Sequence, residues 1–225
     1  MTADSPKPSA LYAQGVAEGR WQVDPAQQVA LAAFDRMHDE LANAEPPSLW
    51  ERLRGQVPQS PRGLYLWGSV GRGKTFLMDL FYESLPGKAK TRVHFHRFMQ
   101  GIHAELRTLS GKQDPLVSVA ERVAESTNVL CLDEFFVLDI GDAMILGNLL
   151  KALFARGVML VTTSNTDPVN LYKDGLQRDR FLPAIALLQK HCEIAEMISP
   201  IDWRLRALKQ APVYLTPPDA AAEHM

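Results

Sequence analysis

The stretch GSVGRGKT at residues 68–75 constrains the fold of this chain more than any other feature. It fits the pattern G-x-x-x-x-G-K-[S/T], in which glycines let the backbone fold so that successive N–H groups point at phosphate oxygens. The apolar run LYLW precedes it at 64–67, and the apolar residues FLM follow it at 76–78. A strand, a loop and a helix in this order are the setting in which the pattern binds a nucleoside triphosphate, because the helix N-terminus adds about half a positive charge.

The predicted nucleotide-binding residues are those of this phosphate loop: Gly68, Ser69, Val70, Gly71, Arg72, Gly73, Lys74 and Thr75. Lys74 is expected to bridge the β- and γ-phosphates, and the Thr75 hydroxyl to hold Mg²⁺. The alternative is a glycine-rich turn with an incidental lysine. The flanking strand and helix favour the phosphate loop.

An acidic pair follows a second apolar run. The residues VLCL at 129–132 are followed directly by Asp133 and Glu134. Such a run is typical of a parallel strand buried on both faces, and ligands bind at the carboxyl ends of these strands. Asp133 is expected to hold Mg²⁺, usually through a water, and Glu134 to polarise the attacking water as a general base. The alternative is a solvated acidic turn, which the phosphate loop upstream disfavours.

A third apolar run, VMLVTT at 158–163, also turns polar at its end. Asn165 is expected beside the γ-phosphate, where it would orient the water, although an Asx-turn is the alternative. Farther along, one of the pair Arg178 and Arg180 is expected to reach the nucleotide of a neighbouring subunit and neutralise charge in the transition state. The spacing does not indicate which of the two arginines acts. The alternative is that both are solvent-exposed and have no catalytic role.

Strand and helix patterns alternate from residue 63 onward. Strands are predicted at 63–67, 91–98, 128–132, 158–163 and 192–197, and helices at 74–85, 99–109, 116–125 and 141–155. This alternation implies crossover connections, so we expect an α/β fold with a five-stranded, mostly parallel sheet flanked by helices.

The chain is predicted to have three parts. A helix starting at Asp24-Pro25 belongs to an N-terminal helical extension, residues 1–60, which a proline-rich stretch separates from the main domain. The core spans 61–200, and 201–225 begins a C-terminal region.

Charge and composition exclude several classes of protein. Lys and Arg number 24 against 26 Asp and Glu, a net charge of −2, so there is no strong signal for nucleic-acid binding. The sequence holds neither a run of 18 apolar residues nor a secretory signal within the first nine residues, so we expect a cytoplasmic protein without a transmembrane segment. Cys131 and Cys192 lie in apolar runs and are expected to be buried, unpaired thiols.

Five stretches together resemble a known family. They are LYLWGSVGRGKTFLMDLFY (64–82), RVHFHRFMQGIHAEL (92–106), LCLDEFFVLDIGDAMILGNLL (130–150), TTSNTDPVNLYKDGLQRDRFLPAI (162–185) and DWRLRAL (202–208). The chain is similar to AAA+ ATPases, in particular to the family of the bacterial cell division protein ZapE and its mitochondrial AFG-one-like relatives. The HFHRFM and LYKDGLQRDRFLPAI segments are far more particular to that family than the phosphate loop is.

The resemblance implies a five-stranded AAA+ core in which Lys74 and Thr75 match Walker A, Asp133 and Glu134 match Walker B, and Asn165 matches sensor-1. It also implies ATP as the nucleotide, oligomers that bind ATP between subunits, and a role at the division site through the tubulin-like protein FtsZ. AAA+ proteins carry a helical lid after the core. Because this chain stops at Met225, shortly after Pro217-Pro218, we expect most of that lid to be missing or truncated.

Three histidines remain without an assigned role. His94 and His96 lie two apart on the predicted strand 91–98 and would share one face, while His103 follows on the next helix. Ordinary packing or contact with a partner are the main interpretations. A metal site is disfavoured because no cysteine or carboxylate accompanies them at ligand spacing.

The resulting hypothesis is Mg²⁺-dependent ATP hydrolysis coupled to remodelling of a protein partner. One alternative is a P-loop kinase, which would consume ATP only when an acceptor is present. The other is an ATP-switched loader linked to nucleic acid, whose DNA binding would fall steeply as salt rises.

Overall fold

The computed structural model describes residues 5–43, 60–87 and 89–198. Its centre is a five-stranded sheet in the order β2-β3-β4-β1-β5, in which every pairing is parallel. The strands are β1 Gly63–Trp67, β2 Lys90–His94, β3 Val129–Asp133, β4 Met159–Ser164 and β5 Cys192–Glu196. The predicted α/β fold with a five-stranded parallel sheet is therefore confirmed.

Seven α-helices lie within the described part of the chain: α1 Pro8–Ala17, α2 Gln28–Ala42, α3 Lys74–Ser84, α4 Phe95–Thr108, α5 Pro115–Ser126, α6 Ile140–Phe154 and α7 Leu182–His191. Those predicted in the core agree with the structure to within a few residues. None of the helices in the described ranges is long and apolar enough to cross a membrane.

The predicted strand 91–98 is wrong in its second half. Strand β2 ends at His94, and α4 begins at the next residue. Phe95, Met99 and Ile102 are all buried, and their spacing of four and three residues is that of one helix face. Helical packing of these side chains thus outweighs the alternating pattern of the sequence. The expectation that His94 and His96 share a strand face is wrong for the same reason.

Side chains alternate across the sheet, so each face has its own apolar core. Leu64 and Leu66 pack with α1, α2 and α3 on one face, whereas Tyr65 packs with α4 to α7 on the other. The free thiols Cys131 and Cys192 are buried on opposite faces, and burial raises the pKa of each to about 12. Both thiols therefore stay protonated and act as small core side chains.

The N-terminal helices pack onto the core through α3. As predicted, Asp24-Pro25 starts helical structure: the Asp24 carboxylate accepts the Ala26 N–H at 2.9 Å, and a 3₁₀ turn at Pro25–Gln27 leads into α2. Phe34 of α2 stacks on Phe81 of α3 with ring centroids 5.0 Å apart. The division into 1–60, 61–200 and 201–225 stays a prediction. Residues 199–225, where the truncated lid was expected, lie outside the described residues.

Candidate active site

Three neighbouring strands of the sheet end at the same edge, and each carries predicted site residues there. Because β3, β4 and β1 are adjacent and parallel, their carboxyl ends bring together Asp133 and Glu134, Asn165, and the phosphate loop. A cleft of about 560 Å³ lies between them, lined by loop residues 70–75 and by Glu134, Thr163, Ser164 and Asn165. This volume falls within the range of small-molecule sites, about 300–1,000 Å³.

The phosphate loop has the backbone that its glycines allow. Gly68 has φ +146°, and a Cβ there would lie 2.6 Å from the carbonyl oxygen of Met197. Gly73 has φ 87° and precedes α3 without a side chain that caps the helix. The first N–H groups of α3 therefore have no capping side chain, and residues 74–76 line the cleft, as a phosphate site requires.

Lys74 lies at the floor of the cleft with only 8% of its surface exposed. Its Nζ donates to the carbonyl oxygens of Gly68 at 2.7 Å and Ser69 at 2.9 Å, and to Oδ1 of Asn165 at 3.0 Å. Burial lowers the pKa of Lys74; the nearby Asp133 charge partly opposes this, and Arg72 adds to the lowering.

Arg72 is a second indication that this cleft binds an anion. Its Nη1 is buried and has no hydrogen-bond partner among the described residues. A buried donor beside a second cation is costly unless an anion accepts from it. The residues at this cleft therefore fit a polyphosphate.

Asp133 is buried at the end of β3 and is held on several sides. Its Oδ1 accepts from the hydroxyls of Thr75 at 2.9 Å and Thr163 at 2.5 Å. Its Oδ2 lies 3.3 Å from Nη2 of Arg92, which also pairs with Asp79. A hydroxyl beside a carboxylate is an oxygen donor set that suits Mg²⁺, so Thr75 and Asp133 fit the predicted ion.

Glu134 follows with its side chain exposed at the mouth of the cleft. Its backbone adopts the left-handed region, φ 57°, which a residue with a Cβ enters at a cost of about 1 kcal/mol or more. The Thr163 hydroxyl accepts the Glu134 N–H at 3.0 Å and stabilises this turn. Nδ1 of His94 lies 3.8 Å from Asp133 Oδ2 and 3.9 Å from Glu134 Oε2.

Arg178 and Arg180 do not line the nucleotide cleft of their own chain. They form a 3₁₀ turn, Arg178–Arg180. Arg178 instead donates from Nη2 to the carbonyl oxygen of Val169 at 2.7 Å. Their predicted action on a neighbouring subunit stays a prediction.

Sequence reasoning missed Thr163, Arg92 and the contacts of His94 with the acidic pair. Arg92 and His94 point from β2 toward the end of β3, a pairing that becomes visible only once strand order is known. His96 and His103 lie on α4 instead, where His103 Nε2 is 2.6 Å from Asp142 Oδ1. Within the described residues no group of three or more His, Cys, Asp or Glu side chains could hold a metal ion.

A family model described as AFG1-like ATPase matches residues 7–225 of the chain. The chain belongs to the AFG1-like ATPase family. It is 49% identical over 222 residues to "Cell division protein ZapE" of Escherichia coli strain K12, covering 93% of this chain and 59% of that protein. It is 46% identical to "Lactation elevated protein 1 homolog B" of Danio rerio over 68% of this chain and 33% of that protein. The chain thus spans less than two thirds of these relatives.

Solved structures agree on the fold. A crystal structure of DnaI gives a TM-score of 0.54 at 17% identity, covering 78% of this chain and 87% of that one. AMPPCP-bound DnaA from Aquifex aeolicus gives 0.55 at 16% identity, covering 85% and 52%. The resemblance drawn from the sequence is confirmed, and so are the P-loop fold and the assignment to a family of ATPases.

Proposed function

We propose that the chain binds ATP with Mg²⁺ in this cleft and hydrolyses it. The observation that carries the proposal is the connected set at the ends of β1, β3 and β4, in which Lys74 bonds to Asn165 and Thr75 bonds to Asp133. These four side chains come from three segments that are far apart in the sequence, and they meet at one cleft of about 560 Å³.

The chemistry assigned to each residue follows from its place. Lys74 exchanges its carbonyl partners for the β- and γ-phosphate oxygens, since its ammonium is already desolvated there. Thr75 and Asp133 hold Mg²⁺, which when bound neutralises the charge that develops on the phosphates. Asn165, 3.0 Å from Lys74 Nζ, orients the attacking water.

Glu134 acts as the general base. Its carboxylate takes a proton from the water as the new oxygen–phosphorus bond forms and the bond from the γ-phosphorus to ADP breaks. Its exposed side chain can take up a water molecule from solvent, and its fixed backbone holds the carboxylate near the nucleotide. Arg178 or Arg180 of a second subunit neutralises the negative charge that develops in the transition state. This role requires the chain to self-associate.

The biological setting extends the same proposal. One relative at 49% identity is named a cell division protein. We therefore assign the energy of hydrolysis to remodelling of a protein partner in the cytoplasm, with FtsZ at the division site as the partner that the family resemblance implies. Pelleting of FtsZ polymers with the chain, with and without ATP, tests this assignment. Unchanged polymer mass and no effect on ATP turnover would contradict it.

Glu134→Gln tests the hydrolytic step. The variant should bind AMPPCP as the parent does, while phosphate release falls by about 100-fold or more, because a positioned base contributes about 10²–10⁴. Glu125→Gln, an exposed glutamate at the end of α5, is the matched control and should retain full turnover. Equal turnover in Glu134→Gln would remove Glu134 from the mechanism. ATP consumption only in the presence of an acceptor, with the γ-phosphoryl group transferred to that acceptor and no phosphate released to water, would indicate a kinase instead.

A further inference from the structure

A second, larger cavity adjoins the nucleotide cleft. This groove, of about 760 Å³, runs between the first turns of α4, the loop that follows β3, and the start of α6. Its walls include Phe95, Met99 and Phe135. Glu134, the proposed general base, is among its lining residues.

The groove and the nucleotide cleft share two residues. Glu134 and Asn165 line both cavities. An occupant of the groove would thus touch the residue proposed as general base and the residue proposed to orient the water. Any change it made in the position of Glu134 would alter hydrolysis directly.

The groove is lined by carboxylates and by two histidines, His96 and His103. The carboxylates are those of Glu134, Asp139 and Asp142, and no Lys or Arg lines the groove among the described residues. Asp142 already pairs with His103 and Asp139 accepts the Gly141 N–H, whereas the Glu134 side chain is exposed. Such a surface repels the phosphates of a nucleic acid and attracts cations. The favoured occupant carries lysine or arginine.

The rim of the groove is apolar and exposed. After β3 the chain alternates, with Phe135 and Val137 buried in the core and Phe136 and Leu138 exposed by 54% and 74%. Phe136 is the one aromatic residue among the large, exposed hydrophobic side chains of the described ranges. Exposed apolar residues beside a cavity are typical of a site that binds a protein segment.

We propose that this groove binds an extended peptide segment presenting apolar side chains next to Lys or Arg, and that the bound segment contacts Glu134 and changes the rate of ATP hydrolysis. The binding half of this proposal stands on the groove alone. The coupling half rests on the proposed function. An occupant of the groove would contact the Glu134 carboxylate directly, so no other part of the fold would have to change.

Binding is tested without nucleotide, so that it does not depend on ATP turnover. The probe is a fluorescein-labelled peptide of repeated Leu-Lys-Ser units, followed by anisotropy with the full chain. It should bind, and more weakly as salt rises. The same peptide with Glu in place of Lys should not bind. Equal binding of the acidic peptide, or no binding of the basic one, would overturn the proposal.

Leu138→Ser locates the site. Binding should weaken about tenfold, since one leucine side chain no longer leaves water. Leu176→Ser is the matched control, because Leu176 is 70% exposed and lies outside the groove. Equal binding in both variants would overturn the assignment. So would direct binding of labelled single-stranded DNA that Leu138→Ser weakens, or self-association that Leu138→Ser abolishes, since these indicate a nucleic acid or a second copy as occupant.

Coupling is measured in a second assay. Saturating basic peptide should change kcat for ATP by more than twofold in the parent chain and in Leu176→Ser, with little change in KM. In Leu138→Ser at the same peptide concentration the change should be smaller. A bound peptide that left kcat unchanged would overturn the coupling. A parent chain that bound peptide but hydrolysed no ATP would overturn the proposed function and leave peptide binding intact.

Discussion

One buried hydroxyl joins the two acidic residues of the site. Thr163 donates to Asp133 Oδ1 at 2.5 Å and accepts the backbone N–H of Glu134 at 3.0 Å. The same side chain therefore orients the proposed magnesium ligand and holds the left-handed turn of the proposed base. Thr163 lines the cleft but is buried, so we expect it to affect hydrolysis by positioning Asp133 and Glu134.

Thr163→Val removes both hydrogen bonds with little change of shape. We expect ATP turnover to fall about tenfold, because Glu134 loses its fixed backbone, while AMPPCP affinity stays within about twofold. Losing the bonds at a buried site should also lower the free energy of unfolding by about 1–3 kcal/mol. Steady-state kinetics and denaturant unfolding measure the two effects.

Thr162→Val is the matched control for this prediction. Thr162 is equally buried on the same strand, but its hydroxyl donates to the Leu132 carbonyl oxygen, away from the cleft. It should lose stability by a similar amount and keep its kcat. Equal kcat losses in the two variants would mean that Thr163 matters only for stability.

At the scale of elements, α3 connects the site to the N-terminal helices. The helix begins with Lys74 and Thr75 in the cleft, and Phe81, two turns later, is stacked on Phe34 of α2. Burial of this pair stabilises the helix that positions the proposed phosphate-binding residues.

Phe34→Ala should therefore lower the free energy of unfolding by about 3–5 kcal/mol, since the ring is fully buried. Urea unfolding followed by fluorescence should show one transition that moves as a whole. Val29→Ala, on the exposed face of the same helix, should cost about 0.5 kcal/mol or less. A separate early transition in Phe34→Ala would instead mean that the N-terminal helices unfold independently of the core.

The elements that the sequence predicted well are those with local signals. Apolar runs, the glycines of the phosphate loop and polar residues after strands located all five strands, although β2 ends four residues earlier than predicted. The same signals predicted that Lys74, Asp133 and Asn165 belong to one site. Helix α1 was missed because it begins at Pro8 without a capping side chain. It is stabilised by tertiary contacts, such as the hydrogen bond that the Asp24 N–H donates to the Tyr12 hydroxyl, and these have no local signature.

From the sequence, the site could be predicted only for residues that lie at the end of a recognisable strand. The partners that Arg92, His94 and Thr163 find depend on which strands are neighbours, and that order, β2-β3-β4-β1-β5, does not follow from the spacing of residues. The left-handed backbone of Glu134 is likewise set by Thr163 on another strand. Long-range pairing, rather than propensity, decides these contacts.

At the scale of the whole molecule, the proposed mechanism needs more than one chain. The cleft of one chain contains the loop, the acidic pair and Asn165, but the Arg178–Arg180 turn does not line it. If an arginine completes the site in trans, an active site is shared between two copies.

Mixing two inactive variants tests this sharing. One of the variants Arg178→Ala and Arg180→Ala should remove the arginine that acts in trans. In that variant the rate of ATP hydrolysis should fall by about 10³-fold or more. Glu134→Gln should be inactive for a different reason, the loss of the proposed general base. A mixture of the two should regain turnover, because some interfaces then combine an intact base with an intact arginine. Turnover no greater than the sum of the separate variants would contradict a shared site.

Calorimetry with AMPPCP and Mg²⁺ tests the central claim, that the phosphate loop and its surroundings bind a nucleoside triphosphate. The parent chain should bind one nucleotide per chain, and Lys74→Ala should bind about 100-fold more weakly, because the charge-assisted hydrogen bonds to the phosphates are lost. Circular dichroism of Lys74→Ala, matching the parent, shows that the variant is folded. Equal affinity in the parent and in folded Lys74→Ala would contradict the account.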